Sequence, residues 1–207
     1  MILIDNDVLF KFAACDLLTE LSEFIRVPPK QAMVLPSFVY MAKKKFGNDH
    51  IIQKVKADFL DNVRVMPEVS DTHLLHSIDG LDVGERQLLA YLVENEEVSG
   101  LLTGDKRALT KIAEYSQHLD RVKTRICSPS VTVNCLESIF FGLINNYGFE
   151  LINEKVTRAI NDGLLEDKVL KITFGIDRQQ SHAVESLQSY VRDLNKVVGF
   201  ISKLSNE

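Results

Sequence analysis

The chain alternates short aliphatic runs with longer amphipathic stretches, and that alternation constrains the fold more than any other feature of its 207 residues. Ile2-Leu3-Ile4 closes on Asp5, and an amphipathic stretch from Val8 to Phe24 follows at once, so a strand feeds a helix. After Pro28 and Pro29 a second run, Ala32 to Leu35, stops at Pro36-Ser37, where Ser37 is placed to cap a helix carrying Phe38, Val39 and Met41. A helix is expected over about 51–60, a strand over 63–66, a helix capped by Ser70 through Ile78, and another from Asp82 to about Asn95. Gly100-Leu101-Leu102-Thr103 reads as a further strand ending in Gly104-Asp105, with a helical pattern after it and a last strand near Arg125 to Cys127. Strands alternating with helices in this way point to an α/β domain of three layers, a parallel sheet covered on both faces.

From Val131 to Asn145 the pattern is that of one more helix, and Gly142, Gly148 and Gly163 then punctuate a helical region without a clear strand. Val184, Val191 and Val198 recur every seven residues, and Leu187, Leu194 and Ile201 fall three further on. Apolar a and d positions over three heptads give one helix with a narrow apolar seam. The expected division is a domain over 1–145 and a helical extension over 146–207. So short a heptad run is marginal as an autonomous coiled coil, and its seam suits packing on its own domain or a homodimer through 184–201.

Composition sets the outer bounds. Hydrophobic residues make up 45% and charged ones 26%, with ten Gly and five Pro, which excludes a disordered or fibrous chain. No apolar run approaches the ~18 residues of a membrane span, and the start lacks a basic, then apolar, secretory signal. The expected setting is therefore the cytoplasm, with no membrane partner. Cys15, Cys127 and Cys135 are odd in number and lack metal-type spacing, so core thiols are expected. A net charge of -5 argues against a protein that coats nucleic acid by bulk electrostatics, though not against an enzyme that acts on it.

Chemical content lies in the positions of the acids. Asp5 closes the first strand, Asp7 follows two residues on, and Asp105 lies just beyond the Gly100–Thr103 strand. In a doubly wound sheet, side chains beyond the carboxyl ends of adjacent parallel strands converge on one crevice. Asp82 and Glu85, three residues apart, share a face at the first turn of a helix. Carboxylates gathered there repel, so they hold protons through raised pKa values or hold a cation. Mg²⁺ or Mn²⁺ suits such oxygens, keeps waters, and leaves positions for phosphate oxygens, which is the chemistry of phosphodiester hydrolysis. Five scattered histidines, His50, His73, His76, His118 and His182, make no competing site; His73 and His76 share a helix face as a surface pair. Each acid also has a structural reading, Asp82 with Glu85 as a capping box and Asp105 as an N-cap.

Ile-Leu-Ile-Asp5-Asn-Asp7-Val-Leu, Leu-Asp82-Val-Gly-Glu85 and Leu-Leu-Thr103-Gly-Asp105-Lys-Arg-Ala-Leu together resemble a PIN domain, the metal-dependent ribonuclease fold of toxin–antitoxin toxins and RNA-processing enzymes. The resemblance covers approximately 1–145. It implies an Mg²⁺- or Mn²⁺-dependent endoribonuclease with Asp5, Glu85 and Asp105 as catalytic, metal-binding acids, Asp7 and Asp82 as further members of the set, and Thr103 as a polar neighbour. It also implies an RNA substrate and, for a toxin, an antitoxin as partner. The family usually supplies an acid from the helix after the second strand, whereas Pro36-Ser-Phe-Val-Tyr-Met-Ala-Lys-Lys-Lys has none. Lys43, Lys44 and Lys45, with Lys106 and Arg107, are the local candidates for phosphate contacts, against the alternative of a solvated surface.

Two other classes fit parts of the pattern. Asp5-Asn-Asp7-Val-Leu after an aliphatic strand resembles the first motif of haloacid dehalogenase-type phosphatases, with the first Asp as nucleophile and the second as acid/base. Leu109 stands where a later acid of that family is expected, no suitable lysine lies between the motifs, and Glu85 has no role there. A non-catalytic binding or dimerisation module would use the acids as caps and the heptads as its working surface.

Overall fold

The computed structural model describes residues 1–25, 31–38, 40, 41, 44 and 63–201. The expected helix over 51–60 and residue Val39 lie outside them. Five strands form one sheet: β1 (Ile2–Ile4), β2 (Ala32–Val34), β3 (Arg64–Val65), β4 (Gly100–Thr103) and β5 (Thr132–Cys135). Their spatial order is β3-β2-β1-β4-β5, and every pairing is parallel. The helices are α1 (Asn6–Ala14), α2 (Leu18–Phe24), α3 (Thr72–Ser77), α4 (Val83–Glu94), α5 (Lys106–His118), α6 (Asp120–Ile126), α7 (Leu136–Tyr147), α8 (Phe149–Asn161), α9 (Lys168–Thr173) and α10 (Gln180–Val198). Residues 38, 40, 41 and 44 are also helical. Among the described residues, no helix is long and apolar enough to cross a membrane.

The inner strands β1 and β2 are apolar and buried throughout because helices cover the sheet on both faces. Ile2, Ile4, Ala32, Val34 and Leu102 point into one core, while Leu3, Met33, Leu101, Val133 and Cys135 point into the other. That division follows the two-residue period of a strand. On the first face Phe12 of α1 stacks on Phe140 of α7 at 4.9 Å, and Phe140 meets Phe174 at 5.6 Å. Gly142, read from the sequence as punctuation, lies inside α7 beneath Phe24; a Cβ there would fall 2.2 Å from the ring. The absence of a side chain lets α2 and α7 approach closely.

Several boundaries differ from expectation. The Val8–Phe24 stretch is two helices, broken where Asp16 takes a positive φ of 56°. Asp71, not Ser70, caps α3: its side chain accepts from the Leu74 amide at 2.8 Å, and the Ser70 hydroxyl donates to Glu94 instead. Arg125 to Cys127 forms no strand. Arg125 belongs to α6 and donates to the carbonyls of Leu92 and Asn95 at 2.9 and 2.8 Å, tying α6 to the end of α4. The fifth strand is β5, inside the stretch expected to be all helix. Its apolar residues run in phase with those of α7, so periodicity across the junction hides a strand that only its partner β4 stabilises. Of the three cysteines, Cys15 and Cys135 are buried and Cys127 is exposed, against the expectation of three core thiols. Burial pushes both buried thiols up to about 12, which keeps them unreactive.

Residues beyond 145 belong to the same cores. Ile152, Val156, Leu170, Phe174 and Leu187 pack with the strand residues of the first face, and Val191, Val198 and Ile201 with those of the second. Helix α10 thus passes from one face to the other around the β5 edge, where Ile201 makes a parallel bridge to Val133. The heptad seam faces α7 and α5 of its own chain. Leu187, Val191 and Val198 are buried there, so these seam positions pack on their own chain. Covering an edge strand in this way also removes a template for unwanted pairing. Leu187→Ala should lower unfolding free energy by about 2–5 kcal/mol in one cooperative transition. Denaturant titration checks this; a separate early transition for the 146–201 region would contradict a shared core.

Candidate functional site

The strand order reverses direction at β1: the chain builds outward through β2 and β3, then crosses back to β4 and β5. A crevice opens at such a switch point, outside the carboxyl ends of the strands on either side. Asp5 stands there as the first residue beyond β1, its amide donating to the Leu102 carbonyl at 2.9 Å, so the β1–β4 ladder holds its backbone. Thr103, the buried last residue of β4, donates its hydroxyl to Asp5 Oδ2 at 3.0 Å. The Asp105 amide donates to the same Thr103 oxygen at 3.2 Å.

A cleft of about 1480 Å³ brings the acids together: Asp5, Asp7, Asp82, Glu85 and Asp105 all line it. Their other bonds are those of helix termini. Asp82 Oδ1 accepts from the Glu85 amide and Glu85 Oε2 from the Asp82 amide, both at 2.8 Å, the reciprocal capping box that opens α4. Asp105 Oδ1 accepts from the amides of Arg107 and Ala108 at 2.7 and 3.2 Å, capping α5. The carboxylates of Asp82, Glu85 and Asp105 each spend one oxygen on the backbone and have a second. Both expected roles, cap and cleft acid, therefore fall on the same side chains.

Electrostatics show that these groups share a field. Burial pushes the Asp5 carboxyl up to about 6, the Thr103 bond opposes this, and the charges of Asp7 and Asp82 add to it. Glu85 is also raised, chiefly by burial and then by Asp82, Asp105 and Asp5. Among the described residues, no group of three or more His, Cys, Asp or Glu side chains is arranged to hold a metal ion as it stands. What the cleft does have is hard oxygen donors under mutual repulsion, together with Asn6. That residue is only 5% exposed and lines the cleft; its Nδ2 donates to Ser37 Oγ at 3.1 Å, while its buried Oδ1 has no partner among the described residues. An orphaned buried acceptor costs free energy unless something fills it. The donor chemistry fits a hard divalent cation, although the side chains would have to draw inward to enclose one.

Three residues of the site escaped the sequence reading. Lys11, one turn after Asp7, bridges Asp7 Oδ2 at 2.6 Å and Asp167 Oδ2 at 2.8 Å. Asp167 comes from the segment before α9, and no local pattern could pair it with residue 11. Glu137, buried at the start of α7, accepts from Lys106 at 2.7 Å. Lys106 also lies 4.3 Å from the Tyr190 ring centroid. Its charge is therefore engaged by groups of the protein, although its side chain is still 36% exposed and lines the cleft. Arg107 is 93% exposed at its side chain and lies 3.6 Å from Asp105; with exposed Lys44 it lines the cleft. Lys43 and Lys45 lie outside the described residues. His73 and His76 are exposed on α3 and do not line the cleft.

Compared with protein-family models, curated proteins and solved structures, the chain matches none of them.

The raised Asp5 carboxyl has a definite consequence for stability. A folded-state pKa near 6 against an ordinary 3.8 means that the folded chain binds the proton more tightly, so this group erodes stability as pH rises from about 4 to 6, with no further loss above. In chelator, Asp5→Asn should become more stable than the parent across that window, reaching an advantage on the order of 3 kcal/mol at pH 7. Urea titrations of both proteins at pH 4 to 7 measure the difference. A difference that does not grow with pH would contradict the assignment.

Proposed function

We propose that the chain is a PIN-like, Mg²⁺- or Mn²⁺-dependent ribonuclease that hydrolyses RNA phosphodiesters. The observation that carries this reading is the convergence of acids from three distant stretches of sequence, Asp5 with Asp7, Asp82 with Glu85, and Asp105, on one cleft at the β1–β4 switch point. Asp5, Glu85 and Asp105 would hold the ion, with Asp82 beside them; Asp7 is drawn to Lys11 and stands apart. Thr103 fixes the orientation of the Asp5 carboxylate through its hydroxyl. A bound divalent ion would supply an activated water and neutralise charge building on the scissile phosphate. Arg107 and Lys44, at the rim, are placed to contact flanking phosphates, and such contacts position a substrate without reading its sequence.

A non-catalytic module remains the second reading, because Asp82, Glu85 and Asp105 all serve as helix caps. Structural carboxylates would leave stability dependent on them and cleavage absent. Purified protein incubated with mixed RNAs and Mn²⁺ should cleave, and chelator should stop it. Asp5→Asn and Asp105→Asn should each lower the rate by about 100-fold or more. An unchanged rate in Asp5→Asn refutes the assignment. Turnover of p-nitrophenyl phosphate with a trapped aspartyl phosphate would favour a phosphatase instead.

A further inference from the structure

Lys11 is a cleft residue whose two contacts join distant parts of the fold. Asp7 lies on its own helix α1, whereas Asp167 enters from the far end of the chain. The side chains of Lys11 and Asp167 are only 13% and 16% exposed, so little water screens their attraction. Asp167 is held in place independently: its Oδ1 accepts from the amides of Val169 and Leu170 at 2.9 and 3.0 Å, leaving Oδ2 for Lys11. Gly104 makes room for the arrangement, since a Cβ there would fall 2.6 Å from Asp7 Oδ2 and 3.5 Å from Lys11 Nζ. Burial works against the ammonium charge, but the bonds to Asp167 and Asp7 outweigh it and hold the Lys11 pKa above its ordinary value.

Two carboxylate oxygens facing one nitrogen at ion-pair distance describe a cation position already filled by the protein. Were the ammonium absent, Asp7 and Asp167 would be left facing each other with the charge and oxygen chemistry that draws a divalent ion. We propose that Lys11 is a built-in counter-ion for the Asp7 side of the cleft, standing where a second divalent cation would otherwise be held between Asp7 and Asp167, so that the cleft takes one ion and not two. The inference rests on the divalent-ion reading of the Asp5 side of the cleft. It assigns Lys11 to positioning rather than to substrate contact, because both carboxylates already claim its charge.

Calorimetric titration of Mn²⁺ into the full, chelator-stripped chain tests this without recourse to cleavage. The parent should bind one equivalent, Lys11→Met should bind one more than the parent, and Lys11→Arg, which keeps the charge, should not gain. No gain in a folded Lys11→Met, or two equivalents in the parent, overturns the proposal. A parent that binds none while Lys11→Met binds one supports the counter-ion role yet sinks the ribonuclease reading. Should Lys11→Met fail to fold by circular dichroism, Asp7→Asn decides: with Asp7 already claimed by Lys11, its Mn²⁺ affinity should equal the parent's. A loss of about tenfold or more would show that Asp7 is a ligand and overturn the proposal.

Discussion

The parallel pairing of β1 with β4 is the constraint from which the cleft follows. Ile2, Leu3 and Ile4 register with Gly100, Leu101 and Leu102, and the Asp5 amide extends the ladder by one bond. That register sets Asp5 beside Thr103 and brings the loop carrying Asp105 over the first turn of α1. A slip of one residue would turn every aliphatic of these strands to the wrong face, so two apolar cores enforce the alignment. The acids are thus held near one another by hydrophobic packing, against their own repulsion.

How that repulsion is managed differs from acid to acid. Asp82, Glu85 and Asp105 are stabilised by backbone amides at helix N-termini, where the helix dipole also favours negative charge. Asp7 is neutralised by Lys11. Asp5 has the Thr103 hydroxyl and its backbone setting, and burial pushes it up to about 6. The strain of the site is concentrated at the residue that the ladder positions most firmly. A carboxylate kept partly desolvated by a rigid strand end is a common arrangement where function and stability conflict.

The C-terminal residues complete the site as well as the core. Phe174 joins the aromatic contacts of α1 and α7, α10 wraps the β5 edge, and Asp167 reaches Lys11. The cleft is therefore built from both ends of the chain. A truncation at about residue 145 would remove a wall of the cleft along with much of both cores.

Much of this was legible from local pattern. Aliphatic runs with an acid at or just beyond their ends marked β1 and β4, a run stopped by Pro36-Ser37 marked β2, and Asp82 with Glu85 announced the capping box, because all depend on neighbours within a few residues. Strand β5 was hidden, since a four-residue strand in phase with the following helix is distinguished only by the partner it pairs with. Nor could local pattern reveal Lys11 with Asp167, Lys106 with Glu137, or the turning of the heptad seam onto its own chain. Residue order alone marked the inner strands β1, β2 and β4 of a covered sheet and the carboxylates that lie just beyond β1 and β4. Tertiary structure decided which charges meet and which are neutralised, because desolvation and Coulomb attraction depend on separation in space, and only the folded chain sets that distance.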